Sequence, residues 1–105
     1  MIIVVAARPL ATIVRRNDFE RQQFVMREEG SATRQHIEQY LRRRGLSVRT
    51  AMTVGSPEAV KRYVATGIGW GFASKQSVLA EIANGRLAIV DVDGWELFSD
   101  VLRCL

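Results

Sequence analysis

The chain has one cysteine, one histidine and two prolines in 105 residues. The lone Cys104 excludes an intrachain disulfide and suits a reducing compartment, so a cytoplasmic location is expected. One histidine and one cysteine, far apart, offer no metal-ligand spacing, and neither a metal nor another cofactor is expected. No apolar run approaches the ~20 residues of a membrane span. The opening Met-Ile-Ile-Val-Val-Ala-Ala is too short for an export signal and has no basic leader before it. Catalytic equipment is equally thin. His36 falls inside a predicted helix, Glu28 and Glu29 are adjacent and so point apart, and no serine stands in a nucleophile elbow. Cys104 has no activating base beside it. No catalytic residue is assigned, and an enzyme is not expected.

What is present is a globular composition, 48% apolar and 25% charged, with a net charge of +4. Residues 1–105 fit one domain. The positive charge raises a basic nucleic-acid-binding module as an alternative. Against it, acids are interleaved with bases where bases are densest. The one cluster, Arg42-Arg43-Arg44, ends a predicted helix, where cations suit the dipole.

Residues 2–7 form a β-branched apolar run, the pattern of a strand buried on both faces, and Arg8-Pro9-Leu10-Ala11 breaks it. Residues 15–22 are polar without period and read as a connecting segment with at most one helical turn. From there the pattern alternates. A strand at 23–27 precedes a helix capped by Ser31 or Thr33 that runs to Arg44, with Ile37, Tyr40 and Leu41 on one face and Gly45 as terminator. A strand at 47–54 leads to Ser56-Pro57-Glu58, which combines a capping hydroxyl, a proline at the first helical position and an acid in the first turn. Ala59, Val60, Tyr63 and Val64 make that helix's apolar stripe, and Gly67 ends it. The glycine-spaced strand 67–73 points to close approach by a neighbouring backbone or a ligand. A third helix over 75–84 and strands at 86–92 and 95–103, turned at Asp93-Gly94, complete the chain. The order β-β-α-β-α-β-α-β-β implies an α/β fold with a mainly parallel sheet and helices on both faces.

Two strand-to-helix junctions carry hydroxyls: Glu28-Glu29-Gly30-Ser31-Ala32-Thr33-Arg34 and Thr53-Val54-Gly55-Ser56-Pro57. Either serine could be a helix cap and nothing more. In an open sheet, however, the carboxyl ends of parallel strands share one edge, so both junctions should face one crevice. Unpaired N–H groups at helix starts, aided by the dipole, suit a small anion.

The blocks Phe24–Arg34, Gly55–Lys61, Val64–Ser74 and Glu81–Leu87 resemble, in order and spacing, the effector-binding region of LysR-type bacterial transcription regulators. The resemblance covers about residues 3 to 93. It implies one lobe of a type 2 periplasmic-binding-protein-like fold, the second of two that close on a small molecule, with the first lobe and the DNA-binding helix-turn-helix outside this chain. The positions that would border the effector are Glu29, Gly30, Ser31, Ala32, Thr33, Val54, Gly55 and Ser56. The implied partners are a small anionic effector and a second copy, through helix 33–44 and strand 47–54. DNA would be reached only through the helix-turn-helix. With no first lobe to cover it, an apolar stripe on that helix is expected to lie open. The alternative within the same fold is a stand-alone small-molecule-binding protein.

Overall fold

The computed structural model describes residues 2–8 and 14–92. Within them a five-stranded sheet is built from β1 (Ile2–Ala6), β2 (Gln23–Arg27), β3 (Arg49–Val54), β4 (Trp70–Ser74) and β5 (Ala88–Val90), in the order β3-β2-β4-β1-β5. β2 pairs in parallel with β3 and β4, whereas β1 is antiparallel to β4 and β5. Four of the five described strands therefore point the same way, and β1 alone runs back.

Period-two alternation separates two cores. Val4, Ala6, Phe24, Met26, Trp70, Phe72 and Val90 face one side, where α1 (Arg16–Arg21) and α2 (Ala32–Arg43) lie on them through Phe19, Ile37 and Leu41. Ile3, Val5, Val25 and Ala73 face the other, covered by Val60 and Val64 of α3 (Pro57–Ala65), by Val78 and by Ile82 of α4 (Leu79–Ala83). The α/β sheet with helices on both faces is thus as its sequence pattern implies.

The first core is centred on aromatic rings. Phe19 meets Phe24 edge-on at 5.0 Å between centroids, Phe24 stacks on Phe72 at 5.3 Å, and Trp70 approaches Phe24 edge-on at 6.3 Å. These offset and T-shaped arrangements are the favourable ones for rings with a negative face and a positive edge. Phe19 is completely buried. The segment 15–22, expected to be a connector with one helical turn, carries a short helix whose one apolar side chain anchors it in the core. A single buried residue among polar neighbours leaves no periodicity to detect.

Other differences are local. The strand expected at 67–73 begins only at Trp70, because Gly67, at φ +85°, closes α3. The helix expected over 75–84 splits into a 3₁₀ turn (Lys75–Val78) and α4. The strand at 86–92 shortens to Ala88–Val90, with a separate parallel bridge between Val14 and Val92. The break at Pro9-Leu10-Ala11, the turn at Asp93-Gly94, the strand at 95–103 and Cys104 lie outside the described residues.

The glycine spacing in 67–71 has a structural cause. A Cβ on Gly69 would stand 2.7 Å from the Gln23 carbonyl oxygen, and one on Gly71 would stand 2.8 Å from Val64 Cγ2. The neighbours are β2's backbone and α3's side chains. Gly69→Ala must push β2 away from β4, and it is expected to destabilise the fold by about 2 kcal/mol. Gly30→Ala, with nothing within 4 Å of the added carbon, is expected to change stability by less than about 0.5 kcal/mol. Urea unfolding of the two variants against the parent checks both values.

Candidate functional site

β2 and β3 pair, with a register shift between Phe24 and Val25, as far as Arg27 opposite Val54, and the Glu28 N–H extends the ladder by donating to the Val54 carbonyl at 3.1 Å. The two chains then turn away into α2 and α3. Both helix starts therefore stand side by side on one edge of the sheet, and the two hydroxyl-bearing junctions meet as their sequence order implies.

Each serine caps its helix. Ser31 Oγ accepts from the Arg34 N–H at 3.3 Å, and Ser56 Oγ accepts from the Ala59 N–H at 3.1 Å. Such caps are each worth about 1 kcal/mol. Capping uses the acceptor lone pairs and leaves the hydroxyl protons available. The two helix starts differ in what else they offer. In α2 the first helical residues, Ala32 and Thr33, have N–H groups that the helix itself cannot pair. In α3 the first residue is Pro57, which has no N–H, and the second is Glu58, an acid in the first turn whose carboxylate pairs with Lys61 at 3.1 Å. An anion finds its donors at α2.

Two arginines frame that start. Arg34 Nη1 donates to the Arg27 carbonyl at 2.8 Å, beyond the point where β4 pairs with β2, and its Nε lies 3.6 Å from Glu38. It seals the end of β2. Arg27 Nη2 donates to Glu28 Oε1 at 2.7 Å, while Arg27 Nε is buried without an acceptor. Glu28 Oε2 reaches across to the second junction, 3.5 Å from where a Gly55 Cβ would stand. The crevice between the junctions thus contains a guanidinium and a carboxylate as well as the hydroxyls.

Among the residues named from sequence, Ser31 is buried, Thr33 and Ser56 are half-buried, and Glu29, Gly30, Ala32 and Gly55 are exposed around the junctions. Val54 is half-buried and packs onto the second core. Arg27, Glu28 and Arg34 were not named as site residues. Their signal was the run itself, in which two arginines seven positions apart bracket the turn. Hollows among the described residues do not coincide with the meeting point of the junctions, although one of them starts at Ser56. One of about 360 Å³ opens at the opposite sheet edge beside Arg8, Gly67 and Trp70, and one of about 560 Å³ runs along α3 from Ser56 to Thr66.

Residues 1–102 match the family described as the LysR substrate binding domain. The chain is 39% identical over 100 residues to the RuBisCO operon transcriptional regulator of Acidithiobacillus ferrooxidans, an alignment covering 90% of this chain and 32% of the relative. It is 38% identical over 73 residues to the HTH-type transcriptional activator CmpR of Synechocystis, covering 70% of this chain and 24% of CmpR. Its structure is similar to that of the Synechocystis CcmR regulatory domain in complex with 2-PG, with a TM-score of 0.77 and 32% identity, over 90% of this chain and 47% of that one. The effector binding domain of QuiR in complex with shikimate shares the fold, with a TM-score of 0.72 at 15% identity. The chain spans a quarter to a third of the length of these curated regulators.

A third junction on the same sheet edge follows β4. Lys61 of α3 reaches it, donating to the Ser77 carbonyl at 2.8 Å and to Glu81 at 3.4 Å, with Glu58 at 3.1 Å. Burial of the ammonium pulls its pKa down, but the hydrogen bond and charge of Glu58, joined by those of Glu81, outweigh burial and leave it raised above the ordinary 10.5. Above pH 10.5 the folded chain therefore holds more protons than the unfolded one, and stability falls as pH rises through the folded pKa. Urea unfolding across the alkaline range should show the parent losing stability towards the level of Lys61→Met. A stability difference that persists unchanged at high pH would refute the charge interaction.

Proposed function

The chain belongs to the LysR substrate-binding domain family, and from that membership we propose that it forms one half of an effector-binding cleft in a bacterial transcription regulator. The observation that carries this reading is the paired junction, two helix starts locked together by the Glu28 to Val54 hydrogen bond. The ligand class is a small anion, held by the N–H groups of Ala32 and Thr33, the hydroxyls of Ser31 and Ser56, and the turns at Glu29-Gly30 and Val54-Gly55. The two junctions supply one side of the cleft. A second lobe over it would complete the enclosure, which matches a chain about half as long as the CcmR regulatory domain.

On this reading the chain is the second lobe, all of it one α/β unit, and it does no chemistry on its ligand. DNA is gripped by a helix-turn-helix beyond this segment, and the working compartment is the cytoplasm, where the DNA is. Among the described residues no helix is long and apolar enough to cross a membrane.

The proposed association surface is α2 with β3, but the apolar stripe expected to lie open is buried: Ile37, Tyr40 and Leu41 face inward. The outer face of α2 is polar, with Gln35, His36, Gln39, Arg42 and Arg43 exposed. The remaining candidate surface is β3, an edge strand with Arg49, Thr50, Ala51 and Thr53 exposed and no described strand on its outer side.

Titration of the ¹⁵N-labelled chain with 2-PG tests the ligand reading. The largest amide shifts are expected in residues 28–34 and 54–56; shifts centred on the Trp70 hollow, or none, overturn it. Sedimentation equilibrium tests the association. A dimer that becomes monomeric in Ala51→Lys is expected, and a monomeric parent chain rules the surface out.

A further inference from the structure

Arg42-Arg43-Arg44 reads in the sequence as a helix end complemented by cations, and folding enlarges it. Arg16 Nη2 donates to the Arg44 carbonyl at 2.7 Å, and the Ser47 N–H donates to Glu20 Oε2 at 3.3 Å. These bonds lay α1 along the C-terminal end of α2. Arg15, Arg16 and Arg21 thereby join Arg42, Arg43 and Arg44 on one end of the molecule, all of them exposed. Three acids lie nearest among the described residues. Glu20 is held by Ser47, Asp18 faces Arg21 at 4.0 Å, and Asp91 stands beside Val14, whose N–H its carbonyl accepts. The arginines outnumber them, so the surface is positive. Helix chemistry accounts for only part of it. Cations suit the end of α2, but Arg15 and Arg16 stand at the start of α1, where the dipole opposes them, and Arg15 makes no capping hydrogen bond.

The make-up of this surface narrows its partner. The large exposed hydrophobics among the described residues, Tyr63, Ile68 and Leu79, belong to other segments, so the arginines surround no apolar centre of the kind a protein partner buries. No exposed aromatic ring stands among them as a platform for unstacked bases. Guanidinium groups do match phosphate oxygens two at a time. We propose that this surface is a sequence-independent contact with duplex DNA, in which the arginines of α1 and of the end of α2 lie against the phosphate backbone. It acts in addition to the helix-turn-helix expected beyond this segment, adding affinity and orientation without reading bases. It goes beyond the effector reading and shares no residue with the crevice, which lies at the other end of α2, about 18 Å away along 12 helical residues.

The test titrates the full ¹⁵N-labelled chain with a short DNA duplex of random sequence and follows affinity by fluorescence anisotropy over a range of salt. The largest amide shifts are expected in residues 15–21 and 40–47. Affinity is expected to fall with salt at a log–log slope of about −3, the mark of a few phosphates neutralised together. Arg42→Gln/Arg43→Gln should make that slope shallower by about two and weaken binding at least about tenfold at low salt. Arg62→Gln/Arg86→Gln removes the same charge from exposed positions on the α3 and α4 side, and it should weaken binding less than about threefold. Equal weakening by the two double variants reduces the effect to net charge and overturns the surface. Shifts centred elsewhere, or no binding at low salt, overturn it as well. Poly-glutamate bound as tightly as the duplex overturns DNA as the partner and assigns the surface to an acidic protein. None of these outcomes bears on the response of residues 28–34 to 2-PG, so the effector reading stands or falls separately.

Discussion

The parallel pairing of β2 with β3, carried one residue past the formal end of the strand to Glu28, is the constraint on which the rest of the site depends. It aligns the points at which two chains leave the sheet, so that α2 and α3 begin within reach of one another. The pairing is in turn held from behind. β2 is buried on both faces, by the aromatic cluster through Phe24 and by α3 through Val25, and Gly69 lets β4's approach come close enough to lock its first residue. A strand squeezed on three sides has little freedom to slip, because a one-residue slip would turn Phe24 and Met26 out of their core.

Hydroxyls at the two junctions serve the helices first, and this decides which junction suits a ligand. A cap oxygen that already accepts from its own helix is a poor acceptor for anything else, but its proton is still free to donate, so capping and anion binding are compatible. The asymmetry comes from α3. Proline at its first position strengthens the helix start while removing a donor, and Glu58 in its first turn repels an incoming negative charge. α2 has neither feature and no acid in its first turn. On the proposed reading the second junction therefore shapes the crevice, and the first supplies its affinity.

Sequence pattern was sufficient wherever a residue acts through its own chain. The stripe Ile37-Tyr40-Leu41, the cap at Ser31, the terminator Gly45 at φ +68° and the Ser56-Pro57-Glu58 start are local signals, and the structure holds them in the expected roles. It was insufficient where a role depends on a distant segment. Phe19 looks unremarkable among polar neighbours until Phe24 and Phe72 are folded against it. The reverse direction of β1 has no local marker, since an apolar run reads the same either way along the sheet. Arg27 and Glu28 were visible as charges, but that these sequence neighbours pair with one another follows from where β2 stops. The exposed stripe expected on α2 failed for a related reason: amphipathicity states that one face is covered without stating by what, and here the sheet's own aromatic core covers it.

An anion that touched only this crevice could not operate a switch, however tightly it bound. A ligand shifts a conformational equilibrium only by its difference in affinity between the two states. On the proposed reading, this half therefore supplies affinity and charge selection, and the switching energy comes from contacts that form only when a second wall closes on the same ligand.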